Sequence, residues 1–127
     1  MGANPYLKYQ KVQVETADKG KLLIMLYDGA LKFLKASRAA IEENKIEKAN
    51  HNLLRCQDII AEMMASLDLE AGEVAKNLFV LYEYLLYLLV QANIKKDKNI
   101  LSQVEKMLLE LKETWLNILA PRTGIPT

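Results

Sequence analysis

The three prolines of this 127-residue chain, Pro5, Pro121 and Pro126, lie at its two ends and leave residues 6–120 without a proline. Proline lacks the backbone N–H and clashes with the preceding helical turn, so its absence removes the strongest obstacle to long helices. Hydrophobic residues make up 51% of the chain and charged residues 26%, which is typical of a folded domain rather than a disordered segment. The sequence therefore predicts a single all-α domain.

Apolar residues recur every three or four positions in four consecutive stretches, the spacing of helices that each turn one face toward a core. This spacing predicts four helices, over residues 18–44, 46–68, 73–93 and 97–120. Because the connections are only a few residues long, consecutive helices must run in opposite directions, which predicts an antiparallel up-down four-helix bundle. The domain is expected to comprise a short helical or extended cap segment over residues 1–17, the bundle over residues 18–120 and a flexible tail over residues 121–127.

The charge and cysteine content restrict the class of protein. There are 17 basic and 16 acidic residues, a balance that argues against binding nucleic acid or an anionic membrane surface. Cys56, the one cysteine, fits a reducing cytoplasm, and the first residues lack the basic and apolar run of an export signal. The apolar window Leu78–Ile94 contains Glu83 and is too short to be expected to span a bilayer. We therefore expect a cytoplasmic protein with no membrane insertion.

The residues that could support catalysis do not form a recognisable pattern. His51 is the only histidine, and it could be the phosphorylated residue of a histidine phosphotransfer bundle or a solvated surface residue. One histidine cannot supply a di-iron site, which needs two Glu-x-x-His pairs. Cys56 falls in the apolar seam of the second predicted helix and is interpreted as a core residue. We expect no enzyme activity, no metal and no cofactor.

The chain carries more apolar surface than one bundle seam requires. The first predicted helix has two adjacent apolar stripes, and residues 78–90 are apolar at every position except Glu83. The excess could reflect two central helices, a homodimer or a groove for a partner helix. Three tyrosines, Tyr82, Tyr84 and Tyr87, would suit an intermittently wet surface. Gly29, inside the first helix, indicates a close approach, for which a tight contact within the bundle is the favoured interpretation.

Several spaced motifs run in order through the chain from Asn4 to Trp115. They are Asn4-Pro5-Tyr6-Leu7-Lys8-Tyr9-Gln10, Val14-Glu15-Thr16-Ala17, Met25-Leu26-Tyr27-Asp28-Gly29, Gln57-Asp58-Ile59-Ile60, Ser66-Leu67-Asp68, Asn77-Leu78, Leu81-Tyr82-Glu83-Tyr84, Gln91-Ala92-Asn93 and Trp115. Together they resemble the FliS family of flagellar export chaperones. One departure is Asp18-Lys19-Gly20, where members of that family often have a proline before the glycine.

The resemblance implies a non-enzymatic cytoplasmic chaperone that binds the C-terminal segment of flagellin, prevents premature polymerisation and assists delivery to the export apparatus. It also implies that the N-terminal segment, through Tyr6 and Tyr9, folds back over part of the client surface. From the wide apolar faces and the matching motifs, we expect the groove to be lined by Tyr27, Leu31, Ile59, Met63, Tyr82 and Leu86. A histidine phosphotransfer bundle and an obligate dimeric scaffolding protein remain the alternatives.

Overall fold

A computed structural model describes the backbone of residues 5–119 and the side chains of residues 19–119. It contains four α-helices, α1 (Pro5–Glu42), α2 (Ile46–Ala65), α3 (Glu73–Lys95) and α4 (Lys98–Leu119). A single 3-10 turn, Leu69–Ala71, lies between α2 and α3. The described backbone holds no β-strand, and the predicted all-α fold is confirmed.

Each helix packs against its neighbours in chain order, and α4 closes the ring by packing against α1. Among the described residues, the backbones of the diagonal pairs, α1 with α3 and α2 with α4, do not approach one another. Only three residues separate α1 from α2 and only two separate α3 from α4, so each of these pairs must reverse direction. The arrangement is the predicted antiparallel up-down bundle.

The first helix is longer than predicted. It begins at Pro5 rather than near Asp18, so the backbone of residues 5–17, expected as a separate cap segment, is continuous with α1. Pro5 is tolerated in a first helical turn, and no proline follows it to interrupt the helix. The side chains of Tyr6 and Tyr9 lie outside the described residues, and so does the tail predicted over residues 121–127.

The short turns rely on side-chain caps and left-handed residues. Asp97, where the sequence predicts the fourth helix to begin, caps α4, because its Oδ1 accepts a hydrogen bond from the Asn99 backbone N–H at 2.8 Å. Lys96, the C-cap residue that follows α3, has φ 49°, and Asn44, after α1, has φ 59°. Such left-handed residues end helices by directing the chain away from the helix axis.

The core follows the predicted seams closely in α2, where Ala49, Leu53, Cys56, Ile60 and Met63 are buried. The Cys56 thiol donates to the Ala30 carbonyl oxygen, with Sγ and O 3.4 Å apart. Burial raises the pKa of this thiol to about 12, so it stays protonated and unreactive at neutral pH. The interpretation of Cys56 as a core residue is confirmed.

One hydrogen bond connects the diagonal helices α1 and α3 through the core. The hydroxyl oxygens of Tyr27 and Tyr82 lie 2.6 Å apart, and both side chains are almost completely buried. Burial raises the pKa of both tyrosines. Both hydroxyls therefore remain neutral and satisfy each other in an otherwise apolar environment.

The hydrophobicity of α3 needs a separate explanation, because this 23-residue helix is long and apolar enough to cross a membrane. The expectation that its length excludes such a span is therefore wrong. Its inner face is instead part of the bundle core, through Tyr82, Leu85, Leu88, Leu89 and Ala92. One apolar helix of this kind is weak evidence for a membrane protein, since a core helix passes the same test.

We expect Tyr27→Phe to destabilise the fold, because it leaves the buried Tyr82 hydroxyl without its partner, at a cost of about 1–3 kcal/mol. Tyr82→Phe should have a similar effect. The double variant removes both hydroxyls and should lose clearly less than the sum of the two single changes, as denaturant unfolding can measure. Losses that simply add would show that the hydrogen bond does not couple the two helices.

The two glycines Gly29 and Gly72 should respond oppositely to alanine. A Cβ on Gly29 would lie 3.2 Å from Ile59 Cδ1, the end of a half-buried side chain that can shift, so Gly29→Ala should stabilise α1 by up to about 1 kcal/mol. Gly72 has φ 133°, where an alanine is strained, so Gly72→Ala should lower the melting temperature. Thermal unfolding of both variants tests these signs, and a lower melting temperature for Gly29→Ala would contradict the first.

Candidate functional site

Three of the six predicted groove residues belong to the core. Tyr27, Met63 and Tyr82 are each no more than 2% exposed, so they do not line a surface groove in this structure. The reason is their helical register. Met63 lies three residues after the buried Ile60, and Tyr82 three before the buried Leu85, on the faces that turn inward.

The other three predicted groove residues, Leu31, Ile59 and Leu86, are half-buried and pack against the core. Ile59 lies at the α1/α2 contact, where its Cδ1 atom faces Gly29. Leu86 shares a face of α3 with Asn93, whose side-chain amide donates to Asn50 of α2 at 2.7 Å. Leu86 therefore belongs to the α2/α3 side of the bundle.

Leu31 lies on yet another side of the molecule. It shares a face of α1 with Asp28 and Arg38, which form ion pairs with α4: Asp28 with Lys112 at 2.6 Å and Arg38 with Glu105 at 2.9 Å. This face belongs to the α1/α4 contact. The six predicted residues therefore occupy the core and three separate helix contacts, and the structure does not bring them together into one groove.

Among the described residues, exposed large apolar side chains are most numerous along α3. Its members, here called the α3 outer face, are between 40% and 72% exposed and comprise Val80, Tyr84, Tyr87, Val90 and Ile94. From Tyr84 to Ile94 the sequence has no charged residue. The rings of Tyr84 and Tyr87 stack with their centroids 6.3 Å apart. Contiguous apolar surface of this kind is typical of sites where proteins bind other proteins.

A groove beside this face separates α3 from α4. It has a volume of about 150 Å³ and is lined by Leu81, Met107, Glu110, Leu111 and Thr114. At one end the Gln103 side-chain amide donates to the Tyr84 hydroxyl at 3.4 Å, which bridges the two helices. The lining is mainly apolar, with Glu110 and Thr114 at the exposed rim. The groove can hold an apolar side chain but offers few groups for chemistry.

The described side chains contain no cluster of three or more histidine, cysteine or acidic residues placed to hold a metal ion. His51 is exposed on α2, as both of its interpretations require. Its neighbours along the chain, Asn50 and Asn52, hydrogen-bond elsewhere: Asn50 with Asn93, and Asn52 with the Lys48 carbonyl oxygen. The histidine therefore has no partner among these neighbouring side chains that would orient its ring.

The sequence pointed to the α3 outer face only in part. A run of residues apolar on every side indicated that α3 carries surplus apolar surface, and Tyr84 and Tyr87 are indeed exposed. Tyr82, which was grouped with them, is buried. The helical period alone could have separated the two classes, because Tyr82 lies one turn before the buried Leu85 and two turns before the buried Leu89, whereas Tyr84 and Tyr87 point away from them.

Comparison with known proteins identifies the family. The model of the family described as "Flagellar protein FliS" matches residues 2–122. The chain is 39% identical over 112 residues to the flagellar secretion chaperone FliS of Bacillus subtilis, covering 88% of this chain and 84% of the relative. It is 34% identical to the chaperone of the same name from Salmonella typhimurium, covering 87% and 86% of the two chains. The resemblance seen in the motifs is confirmed, and the chain belongs to the FliS family of flagellar proteins.

Proposed function

We propose that this protein is a non-enzymatic cytoplasmic chaperone that binds the C-terminal segment of flagellin, prevents its premature polymerisation and assists its delivery to the export apparatus. Its membership of a family whose relatives are named flagellar secretion chaperones supports this function.

The observation that carries the proposal is the α3 outer face. Val80, Tyr84, Tyr87 and Ile94 follow one another at intervals of four, three and seven residues, which places them in one row along the helix. The row is about 20 Å long, or four helical turns. A row of this length matches the apolar stripe of an amphipathic client helix. Glu83, exposed one turn after Val80 and one turn before Tyr87, is the charged residue beside the row that a client would have to pair or leave in solvent.

The size of the face is compatible with useful affinity. Burying one large apolar side chain completely contributes about 1.5–3 kcal/mol. A client that folds on binding loses roughly 2–5 kcal/mol or more in ordering. The five residues of the α3 outer face are only partly exposed, so burying each of them contributes less than this free energy. Contacts along several other helices of the bundle would have to supply the remaining binding free energy. Leu31, Ile59 and Leu86, half-buried on three other sides, fit a client that wraps around the bundle.

A cap function for Tyr6 and Tyr9 is part of the same proposal. These tyrosines, three residues apart, would cover apolar surface in the client-free protein and be displaced by the client. Such a cap keeps the empty chaperone soluble without competing strongly with flagellin.

A homodimer through the α3 outer face is the alternative that the same surface favours. The mass of the free protein in solution distinguishes the chaperone from the homodimer. A chaperone that leaves this face open for a client is a monomer, whereas an obligate dimer stays dimeric on dilution. Light scattering across a range of concentrations measures that mass.

Introducing charge on the α3 outer face should weaken flagellin binding. Tyr87→Glu and Ile94→Glu place a carboxylate at positions 58% and 72% exposed, so the fold should persist while a desolvated charge opposes the client. We expect each variant to lose about tenfold or more in affinity, equivalent to about 1.4 kcal/mol, in calorimetric titration. His51→Glu, an exposed change on α2, is the matched control and should bind normally.

The same titration with flagellin lacking its C-terminal segment tests the client assignment. Binding should be lost for the unaltered chaperone. Undiminished binding of the truncated flagellin would overturn the proposed client segment, and normal binding by Tyr87→Glu and Ile94→Glu would overturn the proposed surface. Loss of function in His51→Ala instead would favour phosphotransfer.

Replacing both Tyr6 and Tyr9 with alanine should expose apolar surface in the free protein. We expect stronger fluorescence of an apolar dye and a change in flagellin affinity, while Tyr84→Ala in a separate variant reports how the dye responds to the α3 outer face itself. If the double variant alters neither dye binding nor affinity, the two tyrosines do not form a cap.

A further inference from the structure

At the end of the bundle where α4 terminates, no described side chain covers the apolar seam between α3 and α4. Val74 lies four residues before Leu78, and Ile118 three residues after Trp115, so both belong to the inward-facing register of their helices. Leu78 and Trp115 do pack against the core. Val74 and Ile118 are nevertheless 69% and 54% exposed. Side chains in core register that remain in solvent indicate that a covering element belongs there.

The uncovered end continues into the α3/α4 groove. Leu81, Met107 and Leu111 in the groove are half-buried, and together with Val74 and Ile118 they form one surface, here called the open seam. A carboxylate borders the open seam, because Glu110 lines the groove. Glu110 forms no ion pair with another described side chain.

We propose that residues 120–127, which follow α4, fold back over the open seam, with the Ile125 side chain in the α3/α4 groove and the Arg122 guanidinium beside Glu110. Ile125 is the only large apolar residue of this segment and Arg122 its only charged residue. One apolar and one basic side chain therefore match a surface of apolar residues bordered by the Glu110 carboxylate.

The chain length permits this contact. The groove residues Met107, Leu111 and Thr114 lie between five and twelve residues before Leu119, which is roughly 8–18 Å back along the helix axis. Ile125 follows Leu119 by six residues, which span up to about 20 Å when extended. The segment can thus reach the groove without any rearrangement of α4.

The prolines of the segment favour this path. Pro121 has no backbone N–H to continue the hydrogen bonding of α4, which favours a path that turns away from the helix axis. Ile125 precedes Pro126, which restricts its backbone to extended conformations. A segment limited in this way loses less conformational entropy when it binds than a freely flexible one.

Nuclear magnetic resonance of the full chain, with labelled isoleucine, leucine and valine methyl groups, tests the proposal without a client. We expect nuclear Overhauser contacts from the Ile125 methyl to the methyls of Leu81 or Leu111, and from the tail to Ile118. A random-coil chemical shift for Ile125 with no such contacts would overturn the proposal. Contacts to Val74 and Ile118 from the rings of Tyr6 or Tyr9 instead would identify the N-terminal segment as the cover and would also overturn it.

Two variants identify the side chains responsible. Ile125→Asp should abolish the contacts, shift the methyl resonances of Leu81, Leu111 and Ile118, and increase apolar dye fluorescence. Thr123→Asp, the matched control with the same added charge two residues away, should leave the Ile125 contacts in place. Arg122→Glu places like charge beside Glu110 and should weaken the contacts more at low than at high salt. Equal effects of Ile125→Asp and Thr123→Asp would show that the isoleucine side chain is not what binds.

Discussion

A four-helix bundle can bury only one stripe of each helix against its common core, and this limit governs the rest of the molecule. The helices α2 and α4 carry little more than one stripe, so their outer faces are largely polar. The helix α3 is apolar on nearly every side, and its inner face already fills its share of the core. Its remaining apolar side chains have no place in the interior and form the α3 outer face. The surface proposed for the client is thus a consequence of composition combined with bundle geometry.

Polar contacts connect the helices both in the core and near the surface. Inside, the Tyr27 and Tyr82 hydroxyls connect helices whose backbones do not meet, and a hydrogen bond there is sensitive to geometry because a misplaced hydroxyl would be buried without a partner. Outside, the pairs Asp28–Lys112 and Arg38–Glu105 connect α1 with α4 and are partly exposed, so they contribute little to stability. The motif Tyr27-Asp28-Gly29 is structural throughout, since each residue contacts a different helix. The motifs that identify the family therefore contain residues that stabilise the bundle as well as residues that could bind a client.

Much of the fold was predictable because helical periodicity is a local property. The seam of α2, the core position of Cys56, the cap at Asp97 and the tight contact of Gly29 inside the bundle follow from spacing and residue type. The start of α1 was misplaced because a polar stretch after Pro5 weakens the periodic signal without interrupting the helix. The candidate site was predicted less well. The expected groove includes three residues that belong to the core, Tyr27, Met63 and Tyr82. Within a wide apolar stripe, periodicity does not distinguish the residues that a neighbouring helix covers from those that stay exposed.

By itself, the sequence determined the helical class, the number of helices, the antiparallel order and, through its spaced motifs, the family. These depend on proline placement, apolar period and loop length, all of which act over a few residues. Three-dimensional packing is needed to establish which apolar residues remain exposed, which helices meet, and that Ile118 lies in the seam register but outside the core. Burial depends on where other helices begin and end, and that information is distributed over the whole chain rather than over any one turn.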